Sequence, residues 1–293
     1  MHTKEDKLKA FSRLLDIQER LRKECPWDSK QTNESLRPNT IEETFELADA
    51  LLKNDSKNIC KELGDVMEHV IFYSMLGEEK GDFDVADVCK AQSDKLMFRH
   101  DFIDWTGWSV TRSDMVVNAA GQVVYKDEEE QVAKNAQSTT PNTASQVEST
   151  WEQRKQRERD GNTSVLSGVP NSLPSLIKAY RIQDKARNVG FDWEEKEQVW
   201  DKVYEELGEL KNELMKEDKQ RSTEELGDFL FSLINAARLY HLNPDNALEH
   251  TNQKFIKRFN YIEEAVKAKG VTIKDLTLAE MDELWNQAKA ANN

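Results

Sequence analysis

Apolar residues recur at helical spacing along most of the chain. Each apolar stripe ends at a short polar break, and the alternation fills residues 3–100 and resumes near residue 165. Stripes of this period are typical of amphipathic helices. The pattern therefore predicts an all-α protein built from duplicated helical bundles of four to five helices each. The first stripe comprises Leu8, Phe11, Leu14, Leu15, Ile17 and Leu21.

Residues 101–164 interrupt this pattern. Short apolar runs at 115–117 and 123–125 flank a turn-forming sequence that ends in Gly121, which predicts a small β-hairpin. Residues 135–150 are rich in Ser, Thr, Asn and Gln, a composition typical of a flexible linker, and residues 151–160 predict a short charged helix. We therefore expect two helical domains, 1–100 and 165–293, separated by an insertion and irregular linker, 101–164.

The two halves share an acidic pattern, EExxE followed by ExxD. The first copy runs from Glu42 to Asp65 and the second from Glu205 to Asp228, with 15 residues between the two motifs in each copy. A later helix in each half carries Lys and Arg four residues apart, Lys95 with Arg99 and Lys254 with Arg258. This order of motifs indicates an internal duplication.

The repeated carboxylates predict a metal site. Residues three apart share one face of a helix, and a short turn makes the two acidic helices antiparallel neighbours, so four carboxylates converge between them. Their mutual repulsion is relieved by a divalent cation, and four hard oxygen ligands favour Mg²⁺ or Mn²⁺. A solvated acidic face explains one such motif, but not two copies at one spacing. The predicted ligands are Glu206, Glu209, Glu225 and Asp228, with Glu43, Glu46, Glu62 and Asp65 as the matching set in the first half.

Several other side chains are candidates for nucleotide contacts. Lys254 and Arg258 lie on one helical face and suit phosphate oxygens. Trp285 either packs between helices or stacks on a base. Lys202 and Arg221 flank the acidic helices and are weaker candidates for phosphate or sugar contacts. Trp27 and Trp193 follow helix breaks, and we expect them to fill the core.

The composition of the chain narrows the classes of molecule that it is expected to bind. The chain has 293 residues and a net charge of −14, which argues against duplex nucleic acid or an anionic membrane as the main partner. An acidic protein can still bind anionic phosphates when a metal ion lies between the phosphates and the protein's carboxylates. Three cysteines without ligand spacing predict reduced thiols in a cytoplasmic protein, and no apolar run is long enough to span a bilayer.

The chain lacks the phosphate-binding loop GxxxxGK[ST], the dinucleotide-binding GxGxxG turn and the GxSxG nucleophile elbow. The residues alone leave two classes of function open. One is metal-assisted phosphate chemistry, with Glu205 or Glu209 taking a proton from water. The other is a catalytically silent helical interaction module that binds a metal structurally.

Outside roughly residues 101–150, the chain resembles the MazG nucleoside triphosphate pyrophosphohydrolases. The resemblance rests on the paired acidic motifs together with five further stretches. These are Cys25-Pro26-Trp27-Asp28 with Gln31-Thr32, Gly168-Val169-Pro170, Leu173-Pro174, Val189-Gly190-Phe191-Asp192-Trp193 and Lys254-Phe255-Ile256-Lys257-Arg258-Phe259.

This resemblance implies an all-α homodimer that depends on Mg²⁺. The implied reaction is hydrolysis of nucleoside triphosphates, deoxynucleoside triphosphates included, to the monophosphate and pyrophosphate. The implied role is house-cleaning of the nucleotide pool. The resemblance also implies that the second half is catalytic and the first mainly structural. Carried over, Glu206, Glu209, Glu225 and Asp228 hold the metal, while Lys254, Arg258 and Trp285 contact the nucleotide. A pyrophosphohydrolase dedicated to one special nucleotide remains an alternative.

Overall fold

The computed structural model describes residues 1–129, 143, 146–147, 153–159, 164–268 and 270–291. Contacts divide the chain into two compact units, Met1–Lys155 and Gln156–Asn293. The linker predicted over 135–150 lies almost wholly outside the described residues, and the charged helix predicted over 151–160 lies partly outside them. The domain bounds drawn from the sequence stay a prediction.

Four α-helices of the first unit lie wholly within its described part: α1 (Lys4–Glu24), α2 (Asn33–Leu52), α3 (Ser56–Lys80) and α4 (Val85–Arg99). Thr3 begins α1 through a reciprocal capping box with Asp6. Gly81 ends α3 with a left-handed backbone, φ 75°, which glycine adopts without steric cost. The turn between α2 and α3 is short, so these two helices pack side by side.

Helix α2 begins earlier than expected. Pro38 and the residues up to Thr40 predict a helix that begins after the proline, and this prediction is wrong, because Thr32 and Ser35 form a capping box and α2 begins at Asn33. Pro38 lies within the helix. Within a helix, proline removes its own backbone donor and its ring crowds the carbonyl four residues earlier, and the capping box at Thr32 offsets part of that cost.

The predicted hairpin is confirmed. Strands β1 (Met115–Val117) and β2 (Val123–Tyr125) pair antiparallel, with Met115 opposite Tyr125. The hairpin packs on α4 through Met97 and Phe98. Asp94, also on α4 and 1% exposed, accepts hydrogen bonds from the backbone amides of residues 111 and 112. Residues at the start of the predicted insertion therefore belong to the core of the first unit.

The described part of the second unit contains five α-helices: α5 (Ser175–Arg187), α6 (Gln198–Met215), α7 (Lys219–Leu239), α8 (Pro244–Ala268) and α9 (Leu278–Ala291). Asp218 closes the short turn between α6 and α7, where its side chain accepts from the Arg221 amide at 3.1 Å. Asp55 caps α3 in the corresponding place of the first unit. The two acidic helices are therefore tight neighbours in both units, and the all-α, duplicated architecture is confirmed.

Within the described ranges, no helix combines the length and the apolar character needed to cross a bilayer.

Candidate active site

The structure brings three of the four predicted ligands of the second half together. Glu206 on α6 and Glu225 and Asp228 on α7 each offer a carboxylate oxygen, and these oxygens lie within 4.8 Å of one another. Glu206 is 6% exposed, so this carboxylate lies in the protein interior. Glu209, one turn after Glu206, lies beside Glu225 and interacts with it directly. We call Glu206, Glu209, Glu225 and Asp228 the second-half cluster.

Electrostatics make this cluster a fit for a hard divalent cation. Burial raises the pKa of Glu225, and repulsion from Glu209, Asp228 and Glu206 raises it further. Clustered carboxylates that repel one another are relieved by a doubly charged ion, and all the donors are hard oxygens. The donor set therefore suits a metal of the Mg²⁺ or Mn²⁺ type better than a thiolate- or imidazole-seeking one.

Lys202 lies at the edge of the cluster. Its ammonium is 2.6 Å from Glu206 Oε1 and 3.1 Å from Glu205 Oε1. These two hydrogen-bonded carboxylates raise the pKa of Lys202 well above its ordinary value, so the group stays charged at neutral pH. Glu205 points to this ammonium and is not one of the three carboxylates that converge.

The cluster opens into a cleft of about 770 Å³ between α5, α6, α7 and the turn at residues 190–193. One part of its lining is apolar and aromatic, with Ile182, Phe191 and Trp193 among the residues. Sequence reasoning expected Trp193 and Trp27 to fill the core, and this is wrong, because their exposed fractions are 38% and 55%. The polar lining residues include Lys202, Glu206, Asp228, Ser232, Asn235 and Arg238.

An ion pair fixes the turn that forms one wall of the cleft. Arg238, 6% exposed, donates from Nη1 to Asp192 Oδ2 at 3.1 Å and from Nη2 to Asp192 Oδ1. Burial alone would raise the pKa of Asp192, but the hydrogen bonds and charge of Arg238 outweigh burial and lower it. The pair therefore ties Phe191 and Trp193 to α7.

Four predicted nucleotide contacts are not among the residues that line the cleft. The Arg258 guanidinium lies 5.5 Å above the Trp285 ring, and Trp285 also packs against Phe255. Lys254 lines a separate surface depression on α8, and Arg221 lies in the first turn of α7. The roles predicted for Arg221, Lys254, Arg258 and Trp285 stay predictions.

Sequence reasoning missed Gln183, Ser232, Asn235 and Arg238 in the cleft wall. One signal for them was present, because Ser232, Asn235 and Asp228 follow each other at helical spacing and make a polar stripe on α7. The matching residues of α3 are His69, Phe72 and Asp65. Gln183 has no such signal, since its place in the wall depends on how α5 packs.

The first-half cluster has the same carboxylates but different neighbours. Oxygens of Glu43, Glu46 and Glu62 lie within 4.8 Å of one another, and burial followed by repulsion from Asp65, Glu46 and Glu62 raises the pKa of Glu43. The Lys61 ammonium lies 3.0 Å from Glu62, 3.4 Å from Asp65 and 3.9 Å from Glu46. Lys61 thus supplies an internal cation to three carboxylates of the first half. The matching residue of the second half is Glu224, and the cation there, Lys202, contacts only Glu206 of the converging carboxylates.

The residue at the position of Asn235 also differs. Phe72 is 2% exposed and packs with Leu36 and Leu76 in the core of the first unit. His69, at the position of Ser232, is hydrogen-bonded through Nδ1 to the Thr40 hydroxyl at 2.7 Å. The positions that line the cleft in the second unit are therefore occupied in the first unit by side chains that pack or form hydrogen bonds with their neighbours.

The fold and site define a duplicated all-α protein with a carboxylate cluster in the wall of a cleft. The model of the MazG nucleotide pyrophosphohydrolase domain matches residues 31–103 and again residues 194–262. The nucleoside triphosphate pyrophosphohydrolase of Escherichia coli K12 is 36% identical over 289 residues, which cover 96% of this chain and 98% of that protein. The nucleoside triphosphate pyrophosphohydrolase/pyrophosphatase MazG of Thermotoga maritima is 34% identical over 287 residues, 96% of each chain. The chain belongs to the MazG nucleotide pyrophosphohydrolase family.

Proposed function

We propose that the chain hydrolyses nucleoside triphosphates to the monophosphate and pyrophosphate at the second-half cluster. One observation carries the assignment of the site: Glu206 and Asp228 belong both to the converging carboxylates and to the lining of the cleft. A substrate in the cleft therefore lies against the group that holds the metal. The names of the Escherichia coli and Thermotoga maritima relatives support the reaction.

Mg²⁺ is the proposed cofactor, with Mn²⁺ as a substitute. Glu206, Glu209, Glu225 and Asp228 would hold it, and when bound it polarises phosphate oxygens and lowers the pKa of water. Without such an ion, anionic phosphates would meet several carboxylates at the mouth of the cleft. The carboxylates thus make binding of a triphosphate conditional on the cation.

Lys202 supplies the positive charge nearest to the cluster. In the unliganded site it forms ion pairs with both Glu205 and Glu206. A phosphate oxygen brought into the cleft competes for the same ammonium, which stays protonated because its pKa is raised. That competition would release Glu205, so either Glu205 or Glu209 is placed to accept the proton of the attacking water.

The first half is proposed to be structural. Lys61 bridges three of its carboxylates, and Phe72 fills the position that Asn235 occupies in the second half. Neither feature favours entry of a metal-bound triphosphate. A homodimer is also proposed, on the family resemblance and on exposed apolar side chains of α7 such as Leu226, Leu230 and Leu233. Light scattering of the purified chain tests the dimer. A cytoplasmic location stays a prediction.

A matched pair of variants tests the assignment. Glu209→Gln should reduce turnover at least 100-fold, in line with the loss of one preorganised electrostatic group. Glu46→Gln, its counterpart in the first half, should leave turnover within about twofold. Purified protein, Mg²⁺ and a panel of ribo- and deoxynucleoside triphosphates are incubated, and the products are separated by chromatography. Undiminished pyrophosphate release by Glu209→Gln contradicts the site, and equal losses in both variants show that both halves work.

The same panel distinguishes a broad enzyme from one dedicated to a single special nucleotide. A broad enzyme converts most substrates with similar kcat/KM, whereas a dedicated one acts on one of them. Release of diphosphate and phosphate in place of monophosphate and pyrophosphate would contradict the proposed bond cleavage.

A further inference from the structure

An arginine at the end of the first unit is buried against the hairpin. Arg154 and Asp101 are 53 residues apart in the chain, and Arg154 Nη2 donates to Asp101 Oδ2. Their side chains are 8% and 7% exposed. The guanidinium also lies 5.7 Å from the centre of the Phe98 ring, which belongs to the core between α4 and the hairpin. Residues 153–159, which we call the strap, are therefore docked on the first unit at this point.

The ion pair that docks the strap is incompletely satisfied. Arg154 Nη1 and Asp101 Oδ1 are both buried, and neither atom has a hydrogen-bond partner among the described residues. Taking a charged pair out of water offsets much of its attraction, and each buried polar atom without a partner adds a further cost. The docked position is thus held by a smaller margin than a buried ion pair with all its hydrogen bonds would provide.

The burial of the strap rests on one side chain. Among residues 153–159, Arg154 is the only buried one, and the others are exposed or half-buried. The hairpin beneath is anchored more broadly, since three of its residues pack with Phe98 in one apolar cluster on α4. A segment with little buried apolar surface opens at a lower free-energy cost than the core on which it lies. The hairpin therefore stays folded when the strap leaves it.

We propose that the strap is a releasable latch that sets the length of the connection between the two units. The first unit ends at Lys155, the residue after Arg154. While the latch is closed, the connection to α5 starts at this point. When Arg154 is released, the first unit ends nearer the hairpin and the connection is longer. The length of a connection controls the effective concentration of one domain at the other, so the latch regulates how often the two units meet.

Asp101→Asn tests the latch, because it removes the charge at nearly constant shape and leaves the strap sequence unchanged. Trypsin cuts after lysine and arginine, and mass spectrometry measures the rates of cutting after Lys155 and Arg157 in the native full chain. The variant should be cut there at least about 10-fold faster than wild type, the effect of losing one charged hydrogen bond. The matched control is Asp114→Asn, because Asp114 also pairs with an arginine beside the hairpin, but these side chains are 38% and 33% exposed. The control should change the rates by no more than about twofold.

Urea distinguishes a latch from a part of the core. Release of the strap exposes little surface, so its cutting in wild-type protein should change little with urea below the unfolding transition. A core segment is cut only after global unfolding, and its rate rises with the full urea dependence of unfolding. This series uses wild-type protein, so it remains decisive if Asp101→Asn folds poorly.

Two further measurements follow the hairpin and the connection. Hydrogen exchange of the β1 and β2 amides should be the same in Asp101→Asn and in wild-type protein, because only the strap is released. Small-angle X-ray scattering of the full chain should give a larger radius of gyration for Asp101→Asn than for Asp114→Asn.

Cutting of the strap that is unchanged in Asp101→Asn, or that follows global unfolding in urea, overturns the proposal. Faster exchange throughout β1 and β2 in Asp101→Asn overturns it as well, because the strap would then be part of the fold of the hairpin. A radius of gyration equal to that of the control overturns the role of the strap in setting the length of the connection.

Discussion

The ion pair between Arg238 and Asp192 gives a quantitative test of how the cleft is held. Arg238→Met keeps most of the apolar stem and removes the guanidinium, which leaves Asp192 with the Trp193 amide as its remaining donor and takes from Asn235 Oδ1 the guanidinium that donates to it. Because the pair joins the turn at 190–193 to α7, the variant should loosen Phe191 and Trp193 as well as destabilise the second unit.

The expected loss in the free energy of unfolding follows from the burial of Arg238 and Asp192. Removing one member of a fully buried pair costs about 3–5 kcal/mol. The Arg238 side chain is 5% exposed but that of Asp192 is 22% exposed, so water recovers part of the loss and we expect about 2–3 kcal/mol. For the unit Gln156–Asn293, an unfolding entropy of about 2.1 cal/mol/K per residue converts this to a fall of about 7–10 °C in the melting temperature.

The pH dependence has a definite sign. The pKa of Asp192 is lowered in the folded protein, so the pair contributes stability that is present above the unfolded pKa of about 3.9 and is lost as pH falls through the folded value. The difference between wild type and Arg238→Met should therefore be constant between about pH 5 and pH 8 and should shrink below about pH 4.

Scanning calorimetry of the full chain measures both effects. The matched control is Arg181→Met, because Arg181 is 43% exposed and pairs with Asp184 one turn away on the same helix. Such a surface pair contributes at most about 1 kcal/mol, so the control should lower the melting temperature by no more than about 3.5 °C. A shift for Arg238→Met no larger than the control, or one that persists undiminished at pH 3, refutes the account of the ion pair.

Three further variants test the two clusters and the hairpin. Glu225→Gln should raise the melting temperature in EDTA by removing repulsion. In wild-type protein, Mg²⁺ at 100 times its dissociation constant should stabilise the fold by about 2.7 kcal/mol, and the variant should lose most of this stabilisation. A variant that Mg²⁺ stabilises as much as wild-type protein contradicts the ligand role of Glu225. Lys61→Glu should increase bound Mn²⁺, counted by electron paramagnetic resonance, from one to two ions per chain, and an unchanged count contradicts the internal-cation account. Asp94→Asn weakens charged hydrogen bonds to the loop before β1 and should lower the free energy of unfolding in urea by about 1.5–3 kcal/mol, whereas a loss below 0.5 kcal/mol contradicts it.

The acidic helices were predictable because their information is local. A helix places Glu225 and Asp228 on one face whatever the rest of the chain does, and a short turn brings Glu206 to the same side. The hairpin was predictable for the same reason, since the turn residues and the apolar runs lie within 11 residues of one another, from Met115 to Tyr125.

The cleft was not predictable from the same signals. Its walls come from α5, α6, α7 and the turn at 190–193, and whether a gap remains between them depends on side-chain volumes at distant positions. A tryptophan after a helix break, such as Trp193, suits a core or a cleft wall equally well by composition. The start of α2 was not predictable from Pro38, because a proline in the second turn is compatible with a helix that the capping box at Thr32 has already begun.

The two repeats show how one helical framework divides stability and function. On α3, Phe72 is 2% exposed, and burying a side chain of that size contributes about 1.5–3 kcal/mol. On α7, Asn235 replaces it and holds Arg238, which in turn holds Asp192, so the second repeat forgoes apolar burial and depends on a charged network at the same place. That network is stable only while each polar group keeps its partner. The open, polar wall beside Asp228 therefore costs the second repeat the apolar burial that the first repeat keeps at Phe72.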